Sequence, residues 1–150
     1  MRWLARTVGV VVLLLVAAAS GSGERITGRV LSVSADGLLR IQGAHDQLKV
    51  MPAGIALPPV GHPQRSAARK ALGEMVFDKT VELAVDGGLD AAVVKTRIFV
   101  AGQDIAPQLL SEGNAYVLRD HPLTVELLRF ELSARRARRG LWAYGEHTLP

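Results

Sequence analysis

An α+β domain built on five short strands, with one helix between the third and fourth strands and two at the end, is what the sequence predicts. Three observations carry this. Apolar residues alternate with period two in five separate stretches, they recur at 3.6-residue spacing in three others, and turn-forming pairs punctuate the joins. That order of elements points to a five-stranded Greek-key β-barrel of OB type with three packed helices. Pattern alone leaves it one option among several α+β folds.

From Arg25 onward, Ile26, Gly28, Val30 and Ser32 alternate with Thr27, Arg29, Leu31 and Val33, a first strand. Asp36-Gly37 is a tight-turn pair, Leu38 to Ile41 restart the strand pattern, and a second turn over residues 43–46 leads to a third strand at Leu48 to Met51. Residues 52–63 read as a loop, because Pro58-Pro59 and Gly61 hold it extended and non-helical. Ala68, Ala71, Leu72, Met75 and Val76 then fall on one helical face, with Gly73 weakening that helix. Val81, Leu83 and Val85 form a fourth strand, and Val94, Thr96, Ile98 and Val100 a fifth, joined as a hairpin through Asp86-Gly87-Gly88. The second helix has Asp104 as N-cap, Pro107 in its first turn and Gly113 just past its end. The third begins after Pro122, with Leu127, Phe130, Ala134, Ala137 and Leu141 as its apolar stripe and Arg135, Arg136, Arg138 and Arg139 crowding its last turn.

At 150 residues the chain is one domain with room for one core. With 21% charged and 49% apolar residues it is globular rather than disordered. It contains no cysteine, which excludes disulfides, thiolate metal sites and cysteine nucleophiles. Arg2 and Arg6 precede an apolar run over residues 8–19, broken only by Gly9, that ends in Ala17-Ala18-Ala19 before Ser20-Gly21-Ser22-Gly23. This is the layout of a secretory signal over residues 1–19, followed by a linker over residues 20–24, the domain over residues 25–145 and a tail over residues 146–150. The expectation is export to the periplasm or beyond the cell. The alternative is an uncleaved membrane anchor formed by residues 7–19, although the run is shorter than the roughly 20 residues a span needs. Without residues 1–19 the chain carries 16 basic against 14 acidic side chains, a net of +2, which is no argument for nucleic-acid binding.

The C-terminal half carries the more specific motifs. Ile98-Phe99-Val100-Ala101-Gly102-Gln103-Asp104-Ile105 forms a strand, turn and helix start. Leu109-Leu110-Ser111-Glu112-Gly113-Asn114-Ala115-Tyr116-Val117 is similar to an LVREGYAWV-type segment, and residues 134–142 follow A-x-x-A-R-x-x-x-G-L-W. With these three pieces in order, the chain from about Gly28 to Ala143 resembles the thermonuclease (staphylococcal-nuclease-like) family. The resemblance implies an OB-type barrel and a calcium-dependent nuclease site, and it places the site's residues here one by one.

The family's first hairpin carries D-G-D-T, where this chain has Ala35-Asp36-Gly37-Leu38, so the metal-binding aspartate falls on Gly37 or Leu38. Its R-L-x-G-I-D-x-P-E motif matches residues 51–59 in Gly54, Ile55 and Pro58. Met51 then stands for a phosphate-binding arginine, Ala56 for a metal-holding aspartate and Pro59 for the glutamate that positions water. The second arginine, in Y-G-R, falls on Val93. Phosphodiester hydrolysis needs a hard cation on oxygen ligands and positive charge on the developing phosphorane, and these side chains supply neither.

Three functional readings follow. The first is an exported, non-catalytic binding module for a protein or another envelope ligand, without a cofactor, in which residues 51–59 form either the interaction surface or simply a healed one. The second is a divergent secreted nuclease with calcium on relocated carboxylates, Asp36 and Asp46, beside His45. The third is nucleic-acid binding through Arg129, Arg135, Arg136, Arg138 and Arg139, set against a solvated final turn with favourable dipole contacts. His45, His62, His121 and His147 are far apart and read as surface residues, and Tyr116, Trp142 and Tyr144 as packing residues rather than base-stacking platforms.

Overall fold

The computed structural model describes residues 24–85 and 89–145. The residues read above as a secretory signal and as the turn Asp86-Gly87-Gly88, together with His147 and residues 146–150, lie outside the described residues. Strand β1 (Glu24–Val33) is long enough to serve two partners. Its first part pairs antiparallel with β5 (Thr80–Val85), from Glu24 opposite Val85 to Arg29 opposite Thr80. Its second part pairs with β2 (Leu39–Gln42), from Arg29 opposite Gln42 to Val33 opposite Leu39, across a bulge between Val30 and Ser32. The handover needs Gly28, where a Cβ would stand 2.8 Å from the Gln42 carbonyl oxygen. Bulges of this kind bend and twist a strand, which is how one ribbon enters both sides of a barrel.

Strand β3 (Gln47–Pro52) completes the meander with β2, and β6 (Val94–Val100) forms the hairpin with β5. The barrel closes where β3 and β6 run parallel, Val50 beside Val94, Met51 beside Lys95 and Pro52 beside Thr96. The five strands and their closure are those of the expected OB-type barrel. Alternation sends Val30, Leu39, Ile41, Val50, Val81, Leu83 and Ile98 into a shared core, while Arg40, Lys49 and Lys95 face out.

The loop after β3 is not wholly irregular. It contains β4 (Ile55–Ala56), two residues that pair antiparallel with β8 (Tyr116–Val117), a detail too short for periodicity to reveal. Helix α1 (Arg65–Val76) buries Ala68, Leu72 and Val76 against the barrel. A tight turn through β7 (Gln103–Asp104) leads into α2 (Ile105–Ser111), whose N-cap is Asp104 as expected, its carboxylate accepting from the Ala106 amide at 3.0 Å.

The last helix differs from expectation. Helix α3 spans Thr124–Arg136, and the chain then turns through Arg138 and Gly140, both at positive φ, into a 3₁₀ turn at Gly140–Tyr144. Ala137 and Leu141 are therefore not on its stripe, and Arg138 and Arg139 are not in its last turn. The apolar spacing continued past the end because Leu141 and Trp142 do become buried, but from the 3₁₀ turn, in a small cluster with Ala134. Dipole stabilisation applies only to Arg135 and Arg136. His62 also departs from the surface reading, for it is buried with its ring edge-on to Tyr144 at 5.6 Å.

Candidate functional site

Three segments meet at one end of the barrel: the β1–β2 turn, the loop leading through β4, and the start of α1. The turn is held by the Ser34 amide donating to Leu38 O at 2.9 Å and by the Leu38 amide donating to Ser34 Oγ at 3.1 Å. Gly37 sits in it at φ +84°, buried, and a Cβ there would lie 2.6 Å from the Leu57 methyl. Hydrocarbon thus covers the turn from the loop side, since Leu57 is itself part of the core.

Asp36 points the other way and pairs with Arg65, the first residue of α1. The same guanidinium donates from Nη1 to the Pro58 carbonyl at 2.8 Å. The Arg65 side chain is 19% exposed and that of Asp36 74%, so the ion pair closes over the site from the solvent side. A carboxylate and a carbonyl from two segments are the kind of oxygen donors a hard cation takes, and here a planar guanidinium holds both. Pattern reading missed Arg65, because nothing in the spacing of an arginine at a helix start marks it as a bridge.

The positions singled out by resemblance hold no charge. Ala56 is half-buried and paired with Tyr116, Pro59 is half-buried, and Met51 lies beside Lys95 across the closing seam. Val93 lines a cleft of about 510 Å³ together with Ala53, Ala91, Lys95, Arg97 and His121. Calcium takes six to eight oxygen ligands. Asp36 is the one carboxylate among these positions and it is held by Arg65, so the residues present do not fit calcium. Nor do Asp36 and Asp46 form a shared site. They occupy turns at opposite ends of β2, whose four residues separate them by about 13 Å. Sequence neighbours across a hairpin turn alternately to either end of a meander, which the linear reading overlooked. His45 and Asp46 are exposed on the far turn.

The C-terminal arginines are spread among separate structural tasks. Arg135 pairs with Glu131 at 2.7 Å and covers the Trp142 ring at 4.1 Å, Arg129 lies over Phe130 at 4.7 Å, and Arg139 donates to the Ser111 carbonyl at 3.2 Å. Arg136 and Arg138 are exposed. Two further charged centres went unmarked in the sequence. Glu131 is fully buried beneath Arg119 and Arg135, and Arg97 reaches both Asp104 and Glu126. Burial pushes the Asp104 carboxyl above its ordinary range, against the Ala106 amide and Arg97, which favour its ionised form.

No family model matches the chain. Two curated relatives do, both from Oryza sativa subsp. japonica. The probable staphylococcal-like nuclease CAN4 is 31% identical over 97 residues, which cover 65% of this chain and 20% of that protein. The probable staphylococcal-like nuclease CAN2 is 30% identical over 97 residues, covering 65% and 26%. The chain thus spans a fifth to a quarter of the relatives it matches. With the closed five-stranded barrel and three helices, these similarities support a nuclease-like family and a staphylococcal-nuclease-like domain.

Proposed function

We propose that this chain is an exported staphylococcal-nuclease-like domain that binds a partner without cutting nucleic acid. The observation that carries the reading is the Asp36–Arg65–Pro58 clamp, in which an arginine bridges the two oxygen donors. Hydrolysis of a phosphodiester draws most of its acceleration from preorganised positive charge and a metal-activated water. Removing one oxyanion donor elsewhere costs about 2.7–4 kcal/mol. Here the positions for both arginines and for every metal ligand are apolar or paired. The fold does not suffer, because such a barrel carries its function on loops and surface positions that the core does not need. Export rests on the charged, apolar and small-residue layout of residues 1–23.

A second reading, a calcium-dependent nuclease, is favoured by the names of the two relatives. One experiment separates them: incubation of single- and double-stranded DNA and of RNA with the purified protein, in calcium, in magnesium and in chelator. The binding-module reading expects no metal-dependent products. Calcium-dependent cleavage abolished by Asp36→Ala would overturn it.

A further inference from the structure

Several surface cations of the barrel are paired with carboxylates. On β1, Arg25 pairs with Glu82 at 3.0 Å and Arg29 with Asp78 at 2.5 Å. On the adjoining face, made by β2, β3 and β6, Arg40 lies directly opposite Lys49. Lys95 is the register partner of Met51, two residues along β3 from Lys49. All three cations are exposed and the three strands contain no acidic residue; Arg97, further along β6, is the cation there that carboxylates from outside these strands, Asp104 and Glu126, already hold. Arg40 donates to Gln47 Oε1 at 2.7 Å, a neutral amide. Like charges directly opposed across a strand pair are destabilising.

We infer that this face, centred on Arg40, Lys49 and Lys95, docks an acidic polypeptide segment. The inference rests on the binding-module reading and names its partner class. Charge complementarity selects an anion, and spacing and chemistry select a polypeptide. Opposite neighbours in a sheet are about 5 Å apart and diagonal ones about 7–8 Å. An extended chain repeats its side chains on one face every ~7 Å. Single-strand nucleic-acid grooves add exposed aromatics on which bases stack. Strands β2 and β3 have none, and Phe99 of β6 lies under the Arg25 guanidinium at 5.2 Å. Because β2 is paired on both sides and β3 is closed onto β6 at Val50, Met51 and Pro52, recognition falls on side chains rather than on an added strand.

The test titrates a fluorescein-labelled oligoglutamate peptide with the purified protein, alongside an oligothymidylate of equal charge. Oligoglutamate should bind more tightly than oligothymidylate, weaken as salt rises, and shift the amide resonances of β2, β3 and β6. Lys49→Glu sets a carboxylate opposite Arg40, so it should hold or raise the Tm while lowering oligoglutamate affinity about tenfold or more. Arg136→Glu makes the same change of charge elsewhere and should alter affinity less than about twofold. Unchanged affinity in a Lys49→Glu/Lys95→Glu variant, tighter oligothymidylate binding on this face, or no oligoglutamate binding would each overturn the proposal. The two readings fail separately. Calcium-dependent cleavage by a protein that still binds oligoglutamate here sinks the non-cleaving reading. Absence of both leaves that reading and removes the surface.

Discussion

Glu131 lies on the apolar stripe of α3, four residues after Leu127 and three before Ala134, and is a carboxylate buried among hydrocarbon. Its side chain is 0% exposed, and it accepts from the Val117 amide at 2.6 Å, Arg119 Nη2 at 2.5 Å and Arg135 Nη2 at 2.7 Å. A buried carboxylate persists only when its lone pairs are filled, and removing it leaves its partners stranded. Glu131→Ala should therefore lower unfolding free energy by about 3–5 kcal/mol, and Glu131→Gln, which keeps an acceptor for Val117, by about 1–3 kcal/mol. Urea unfolding measures both, and a Glu131→Ala protein as stable as the parent would show the carboxylate to be redundant. His62 gives the residue scale its pH dependence. The Gln64 amide donates to its Nδ1 at 3.0 Å, and burial holds its pKa below the usual 6.5. The unfolded chain then takes up the proton first as pH falls, so this contribution to stability is full above about pH 6.5. It drains away as pH drops from there toward the lower folded value. A plot of Tm against pH should slope downward on the acid side of about 6.5, and His62→Gln should flatten that slope. An unchanged slope in the variant would remove His62 from the account.

Among elements, the join between α2 and the 3₁₀ turn is the tightest. Gly113 and Gly140 cross with backbone against backbone: a Cβ on Gly113 would drive into the Arg139 carbonyl, and one on Gly140 into the Gly113 carbonyl. Both have positive φ, +72° and +54°, and the Leu141 amide donates to Gly113 O at 2.8 Å across the crossing. Gly113 thus ends α2 and also seats the C-terminal segment that buries Leu141 and Trp142. Gly113→Ala meets backbone that cannot give way and a conformation an L side chain resists, so a loss of about 3 kcal/mol or more is expected. Loss of Trp142 fluorescence protection should precede global unfolding in that variant. A substitution absorbed with less than about 1 kcal/mol would mean that the crossing loosens freely. The same crossing explains why α3 stops at Arg136 despite a sequence rich in helix formers. The chain must reverse at Arg138 and Gly140 to reach Gly113, and that tertiary demand outweighs local propensity.

For the molecule as a whole, the barrel was legible because most strand positions keep a two-residue period and each helix an apolar stripe, from Val30 in β1 to Leu127 in α3; the bulge after Val30 breaks the period and turns Val33, not Ser32, toward the core. The closing seam between β3 and β6 was not legible, since parallel pairing of distant strands leaves no local mark at Val50 or Val94. The candidate site was half legible. Its positions, Met51, Ala56, Pro59 and Val93, came from motif resemblance, whereas Arg65 belongs to no motif and emerges only when three segments are folded together. That clamp leads to a prediction for the whole domain. A ligand that binds only the folded state at a hundred times its Kd adds about 2.7 kcal/mol of stability. If the guanidinium has replaced the cation, the Tm should not move between calcium and chelator. Arg65→Met should lower stability by about 1–2 kcal/mol, because it strands the Pro58 carbonyl and breaks a largely exposed ion pair of small individual value. Asp36→Asn alone should cost less than about 1 kcal/mol, and the double variant little more than Arg65→Met, because both act on one contact. A rise in Tm with calcium that disappears in Asp36→Asn would reverse the argument. It would mean that Arg65 yields its place to the ion.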